Sequence, residues 1–270
     1  MIFDTHAHYN DQAFSEDLPE ILGAFQEKGI GKVVNVCYDP DSIDRTLELN
    51  RQHPEYFYCA LGIHPSDCGP MTEEILEHIR KRLHEPGVVA VGEIGLDYHW
   101  DEPARVIQHH WLRRQIQMAR EEKLPVIIHS RDAAEDTFRI LKEEGAEKTG
   151  GVIHCYSYSA ELALEYVKLG YFIGIGGVVT YKNGRKLKEV AAAVPLESIV
   201  LETDCPYLSP TPLRGTRNSS LNLPYVVQEI AAIRGITPRE VEDATWENAM
   251  RLYRIADPQG LAEQKIDGGR

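Results

Sequence analysis

Along this chain, short apolar runs rich in valine and isoleucine alternate with longer stretches that carry apolar residues three and four positions apart. The runs are Ile2 to Thr5, Val33 to Val36, Phe57 to Ile63, Val88 to Ile94, Val126 to His129, Val152 to Cys155, Tyr171 to Ile175 and Ile199 to Thr203. They lack a clean period of two, the pattern of strands buried on both faces. The intervening stretches predict helices over Leu18 to Lys28, Asp41 to Gln52, Thr72 to Leu83, Pro103 to Lys123, Ala133 to Glu144, Ala160 to Leu169 and Arg185 to Val194. Leu223 to Arg234 and Arg239 to Arg254 follow as the last helices. About eight strand–helix repeats in about 250 residues is the arithmetic of an α/β fold, a single (β/α)8 TIM barrel. A doubly wound open sheet is the competing architecture; the count favours the barrel. No linker or internal repeat interrupts the pattern, so one domain is expected over residues 1–256. The polar, glycine-containing tail 257–270 is expected to fray.

The residues that bear chemistry sit where apolar sequence stops. The first run ends Asp4-Thr5-His6-Ala7-His8, the third Gly62-Ile63-His64-Pro65, and the fourth Gly92-Glu93-Ile94-Gly95-Leu96-Asp97-Tyr98. The fifth ends Ile128-His129-Ser130-Arg131, the sixth Ile153-His154-Cys155, and the eighth Leu201-Glu202-Thr203-Asp204. In a barrel all these ends converge on one face. Residues at i and i+2 of an extended chain, such as His6 and His8, share a side. Leaving His64 aside, the imidazoles of His6, His8, His129 and His154 and the carboxylates of Glu93 and Asp204 form a mixed nitrogen–oxygen set. Such ligands suit zinc, manganese or a similar divalent ion. One catalytic ion rarely takes so many protein ligands, because a position must stay open for water. Two ions sharing a carboxylate would use them all and clamp both oxygens of a displacement. Such a centre serves hydrolysis of phosphate esters, amides or lactones. A lone His-x-His is a weak signal; a ligand-type residue at each of six strand ends is a strong one. Gly174-Ile175-Gly176-Gly177 reads as close backbone packing, and neither a Walker loop nor a Gly-x-Ser-x-Gly elbow occurs.

Composition narrows the partners. With 43% apolar and 26% charged residues the chain is ordinary globular protein, not collagen-like, disordered or a disulfide scaffold. Its 29 basic and 42 acidic side chains leave a net charge of −13. That balance argues against binding nucleic acid by bulk charge and leaves room for a local basic pocket. Cysteines 37, 59, 68, 155 and 205 match no zinc knuckle and no Cys-x-x-Cys pair, and their odd number fits free thiols. The segment MIFDTHAHYNDQAF has no basic or apolar leader region. No stretch approaches the ~20 apolar residues of a membrane span. A cytoplasmic protein is expected, with no membrane and no protein partner inferred.

DTHAHYN near the start, GIHP at 62–65, GEIGLDY at 92–98, IHSR at 128–131, IHCYS at 153–157 and LETDCPYL at 201–208 resemble the successive motifs of the TatD family of metal-dependent deoxyribonucleases. They occur in family order with family spacing, from Ile2 to about Ile255. The resemblance implies an amidohydrolase-like barrel of the metallo-dependent hydrolase type, with two divalent ions, zinc, magnesium or manganese. It implies that His6, His8, Glu93 and Asp204 hold one ion and that Glu93, His129 and His154 hold the other, so that Glu93 bridges. Many relatives use a carboxylated lysine at the bridging position. His64 matches the family histidine that faces the scissile phosphate, and Glu202 is expected to support the ligands from behind. Asp204, Glu93 and His64 are then the catalytic residues. Asp204 would orient a water and accept its proton, while the ions and His64 offset phosphoryl charge.

The loop Pro212-Leu213-Arg214-Gly215-Thr216-Arg217-Asn218 offers two arginines suited to a DNA backbone, and Arg131, Lys182 and Arg185 lie on other strand-end loops. The family loop commonly continues Asn-Glu-Pro; this chain has Asn218-Ser219-Ser220, and Tyr156 stands where the family has phenylalanine. Tyr98, Tyr156, Tyr181 and Tyr207 fall near the same face and are candidates to stack on a splayed base. The activity implied is hydrolysis of DNA phosphodiester bonds, as a 3′–5′ exodeoxyribonuclease on single strands. The alternative is a small-molecule metallohydrolase of an amide, lactone or phosphotriester on the same barrel. A non-catalytic binding barrel is disfavoured by the complete ligand set.

Overall fold

In the computed structural model, which describes residues 1–256, eight strands pair in parallel and in chain order. They are β1 (Ile2–Ala7), β2 (Ile30–Val36), β3 (Phe57–Leu61), β4 (Val88–Asp97), β5 (Val126–Arg131), β6 (Gly151–Ile153), β7 (Tyr171–Ile175) and β8 (Ile199–Leu201). A doubly wound sheet would reverse direction part-way through its strand order; this order never does. The ring closes just beyond β8, where Ala7 bridges Cys205 and the Asp204 amide donates to the His6 carbonyl at 3.0 Å. The fold is therefore the expected barrel. Tail 257–270 lies outside the described residues.

A helix follows each strand: α1 (Leu18–Gly23), α2 (Ser42–Gln52), α3 (Glu73–Arg82), α4 (Arg105–Glu122), α5 (Ala134–Glu143), α6 (Ala160–Lys168), α7 (Arg185–Ala193) and α8 (Leu223–Arg234). A further helix, α9 (Pro238–Leu252), starts at a Thr237–Glu240 capping box. The helix expected over Leu18 to Lys28 stops at Gly23. Beyond it the bonds tighten to three-residue spacing, Ala24 to Ile21 and Phe25 to Leu22, and Gly29 at φ 72° turns the chain into β2. None of the described helices is long and apolar enough to cross a membrane.

Two cores hold the barrel. One fills the space between strands and surrounding helices. The other gathers Phe3, Val34, Ile127, Val152 and Val200 against Ala249, Leu252 and Tyr253. The α9 helix and the residue after it thus plug the barrel at the end where strands begin. The opposite end is free for polar chemistry.

Two buried glutamines on α4 set the backbone at that polar end. Gln108 Oε1 accepts from the Asp97 amide at 2.8 Å, and its Nε2 donates to the Asp97 carbonyl at 3.0 Å. One heptad later, Gln115 does the same for Ile63, at 2.8 and 3.1 Å. Each side chain acts as a missing strand partner, fixing the segments that carry Asp97 and His64. Gln115→Leu keeps the bulk but leaves the buried Ile63 amide and carbonyl unpaired, at about 1–3 kcal/mol each. Urea unfolding is expected to show a loss of about 2–6 kcal/mol; a loss below about 0.5 kcal/mol would mean that these bonds do not matter to stability.

Candidate metal centre

All six expected ligands meet at the open end of the barrel. His6 and His8, on and just past β1, bring their Nε2 atoms to 3.1 Å of each other. The His6 and His154 rings stack at 3.4 Å between centroids. Glu93, inside β4, presents one oxygen to each half of the group. Its Oε2 lies 3.4 Å from His6 Nε2 and 3.8 Å from His8 Nε2. Its Oε1 lies 2.9 Å from His129 Nδ1 and 3.8 Å from His154 Nε2. Asp204 Oδ1 sits 3.4 Å from His8, 3.5 Å from His154 and 3.8 Å from His6. Close strand approach makes this possible: a Cβ on Gly95 would fall 1.9 Å from the His129 carbonyl oxygen. His154 and Asp204 lie just past the ends of β6 and β8, and Asp204 adopts φ 55°.

The imidazoles are oriented from behind. His8 Nδ1 donates to the Val36 carbonyl at 2.9 Å, and His154 Nδ1 donates to Glu202 Oε2 at 2.9 Å. In each ring this leaves Nε2 on the side of the carboxylates, the arrangement of a metal-ligating histidine. Glu202 thus supports His154; its second oxygen accepts from the Cys155 amide at 2.6 Å. Gly174 makes room, since a Cβ there would fall 2.3 Å from Glu202 Oε2.

The electrostatics call for a cation. Among the described residues, the groups of opposite charge within 4 Å of Glu93 and Asp204 are all imidazoles; no lysine or arginine reaches either. His6 Nδ1 is buried with no partner. Buried carboxylates with no fixed cation, ringed by imidazole nitrogens, are a donor set that divalent ions fit. Burial and the nearby His154 pull His6 down to about 4. Burial pulls His64 down to about 3, helped by His129. His129 goes up to about 9: burial opposes this, but hydrogen bonds to Asp97 and Glu93 outweigh it. Glu93 and Asp204 are held well below the carboxylate range, against burial, by the surrounding imidazoles.

A proton at His129 competes with metal. Below about 9 the metal-free ring is protonated, so uptake releases that proton and the apparent affinity falls as pH falls. Each displaced proton contributes roughly tenfold per pH unit. Chelator competition is expected to show weaker binding at about pH 6 than at about pH 8; equal affinities would take His129 out of the ligand set.

The surrounding cavity, about 730 Å³, is lined by His8, His64, Glu93, His129, His154 and Asp204 among others. A family model described as TatD related DNase matches residues 3–254. The chain belongs to the TatD family. It is 44% identical to the uncharacterized metal-dependent hydrolase YabD of Bacillus subtilis, covering 94% of this chain and 100% of the relative. It is 38% identical to the uncharacterized metal-dependent hydrolase YcfH of Escherichia coli K12, covering 94% and 96%. The crystal structure of YjjV, a TatD homolog from E. coli K12, superposes with a TM-score of 0.89 at 33% identity, covering 94% of this chain and 98% of that one. This chain is therefore a TatD-family metal-dependent hydrolase.

Two carboxylates of this TatD centre carry no expected role from sequence. Asp97 Oδ2 accepts from His129 Nε2 at 3.0 Å, so His129 is held between Asp97 and Glu93. Asp4, fully buried, accepts from Ser220 Oγ at 2.6 Å and Thr203 Oγ1 at 2.7 Å, and burial raises it to about 7. Ser220 is one of the two serines that depart from the Asn-Glu-Pro pattern. It ties the loop after β8 to β1, and Tyr9 donates to it at 2.9 Å.

The expected DNA contacts divide. Arg131 is exposed and lines the cavity. Arg217 turns away: its guanidinium pairs with Asp17, Nη1 to Oδ1 at 2.9 Å, and lies over Phe14. Arg214 stacks on Tyr181 at 4.1 Å. Arg185 pairs with Glu189 at 3.0 Å beside a neighbouring cavity of about 290 Å³. Of the four tyrosines, Tyr156 is buried, Tyr181 donates to the Ser209 carbonyl, and Tyr98 donates to Asp136 under Arg105. Tyr207 is free and exposed at the cavity.

Proposed function

We propose that this hydrolase cleaves DNA phosphodiester bonds as a 3′–5′ exodeoxyribonuclease on single strands, using two divalent ions (zinc, magnesium or manganese). The observation that carries the two-ion reading is Glu93, whose oxygens face separate groups, His6 with His8 and His129 with His154. His6, His8, Glu93 and Asp204 would hold one ion, and Glu93, His129 and His154 the other. Bound there, divalent ions supply Lewis acidity, activating water at neutral pH and neutralising phosphoryl charge. Asp204 is ionised and one-fifth exposed, placed to orient the attacking water and take its proton. His64 would offset phosphoryl charge as a neutral donor. It is neutral at pH 7, and its Nδ1 accepts from the Ser66 amide at 3.2 Å. The remaining Nε2–H can donate to a phosphoryl oxygen without bringing charge. Arg131 would supply the cation at the cavity wall, and Arg214, on the loop after β8, is stacked on Tyr181. Five unpaired cysteines suit a reducing, cytoplasmic setting.

The test is metal-stripped protein with 5′-labelled single-stranded DNA, adding magnesium, manganese or zinc in turn, with Asp204→Ala alongside. The expected result is a metal-dependent ladder shortening from the 3′ end, slowed roughly 10²–10⁴-fold in the variant. No cleavage with any metal, while a loaded sample hydrolyses a lactone or phosphotriester, would favour a small-molecule hydrolase.

A further inference from the structure

Two large aromatic side chains stand uncovered at the mouth of the metal cavity. Trp100, in the turn after β4, is 66% exposed, and Tyr207, after β8, is 58% exposed; both line the cavity that holds Glu93, His129 and Asp204. The other tryptophans are less open: Trp111 is 8% exposed, and Trp246 is half-buried against Phe3 at 5.6 Å. In an eight-strand ring paired in chain order, β4 and β8 lie on opposite sides, so the two side chains line the cavity from opposite sides.

Each ring is tied to the centre by one short link. The amides of His99 and Trp100 donate to Asp97 Oδ1 at 2.9 and 3.3 Å, and Asp97 Oδ2 holds His129 at 3.0 Å. One buried carboxylate therefore fixes both a residue of the metal centre and the turn that presents the indole. On the other rim, the Tyr207 amide donates to the Asp204 carbonyl at 2.9 Å. The backbone that carries each ring is held by the same residues that build the site. Flat apolar faces beside a centre that cleaves phosphodiesters would match nucleobases, each of which offers a π face whatever its sequence.

We propose that Trp100 and Tyr207 form a base-binding subsite that stacks the nucleobases flanking the scissile phosphodiester of a single strand. The proposal rests on the phosphodiesterase reading above. It entails a preference for single strands, since paired bases must unstack before they reach the rings.

Because Trp100 is the exposed tryptophan among the described residues, its fluorescence reports binding directly. The probes are a phosphorothioate-linked single-stranded dT oligomer and the same backbone with abasic sites, titrated into metal-loaded protein. The dT oligomer is expected to quench emission and the abasic one to leave it unchanged; Trp100→Ala removes the quenching. With the corresponding phosphodiester substrates, Trp100→Ala and Tyr207→Ala are each expected to raise KM for the base-bearing strand by roughly 5- to 150-fold, with kcat changed less. Trp100→Phe is expected to recover most of that loss. Equal quenching by both oligomers, or an equal KM for both strands in the unaltered protein, overturns the proposal. Cleavage of neither strand overturns the phosphodiesterase reading instead, and the quenching still decides the subsite.

Discussion

Glu93→Gln is expected to lower bound metal from two equivalents per chain to one or none and to cut DNA cleavage by more than roughly 100-fold. Glutamine keeps the shape of the side chain but replaces two anionic oxygens with one neutral oxygen and an amide donor. Whichever way it turns, both pairs lose the Glu93 anion, and one of them, His6 with His8 or His129 with His154, faces an amide donor instead. An ion held by His129 and His154 would then have imidazoles only, and one held by His6 and His8 would keep Asp204 as its single carboxylate. Metal analysis after dialysis, paired with initial rates, reads both effects. Retention of two ions and more than about a tenth of the rate would sink the bridging role.

Glu202→Gln acts one step further back, and its effect is expected to be roughly 10- to 100-fold on metal affinity and rate. The amide oxygen can still accept from Cys155, as Oε1 does now at 2.6 Å. The amide nitrogen then faces His154 Nδ1, where Oε2 now accepts at 2.9 Å. A donor there disfavours the tautomer that leaves Nε2 free for metal. Excess metal should recover much of the rate, a recovery that a general unfolding defect would not show. Unchanged affinity and rate in this variant would mean that His154 is oriented by packing alone.

The sequence carried most of the fold because its period is local. Valine-rich runs and three–four spacing placed every strand and helix, and α8 has the expected bounds, Leu223–Arg234. The convergence of the six candidate ligands was legible because a barrel brings strand ends to one face. That Glu202 supports the ligands was legible; which of them it holds was not, because β8 stops at Leu201 and the contact runs across to His154. Asp97 sits inside a quoted motif, yet nothing local says that it and Glu93 address the two nitrogens of one imidazole. Asp4 is set by Ser220, 216 positions away, and Arg217 is taken up by Asp17, 200 positions away. Such pairings are properties of the closed barrel. Trp100 fails the other way: an apolar residue is expected inside, and its exposure appears only once the turn around Asp97 is built.

The central claim is a pair of divalent ions joined by Glu93. Manganese titration of the metal-stripped protein, followed by electron paramagnetic resonance, tests it most directly. At saturation the account expects two ions per chain with a spin-coupled spectrum, and cleavage of single-stranded DNA rising with the second equivalent. One equivalent at saturation, with the six-line signal of an isolated ion and full cleavage, would contradict it.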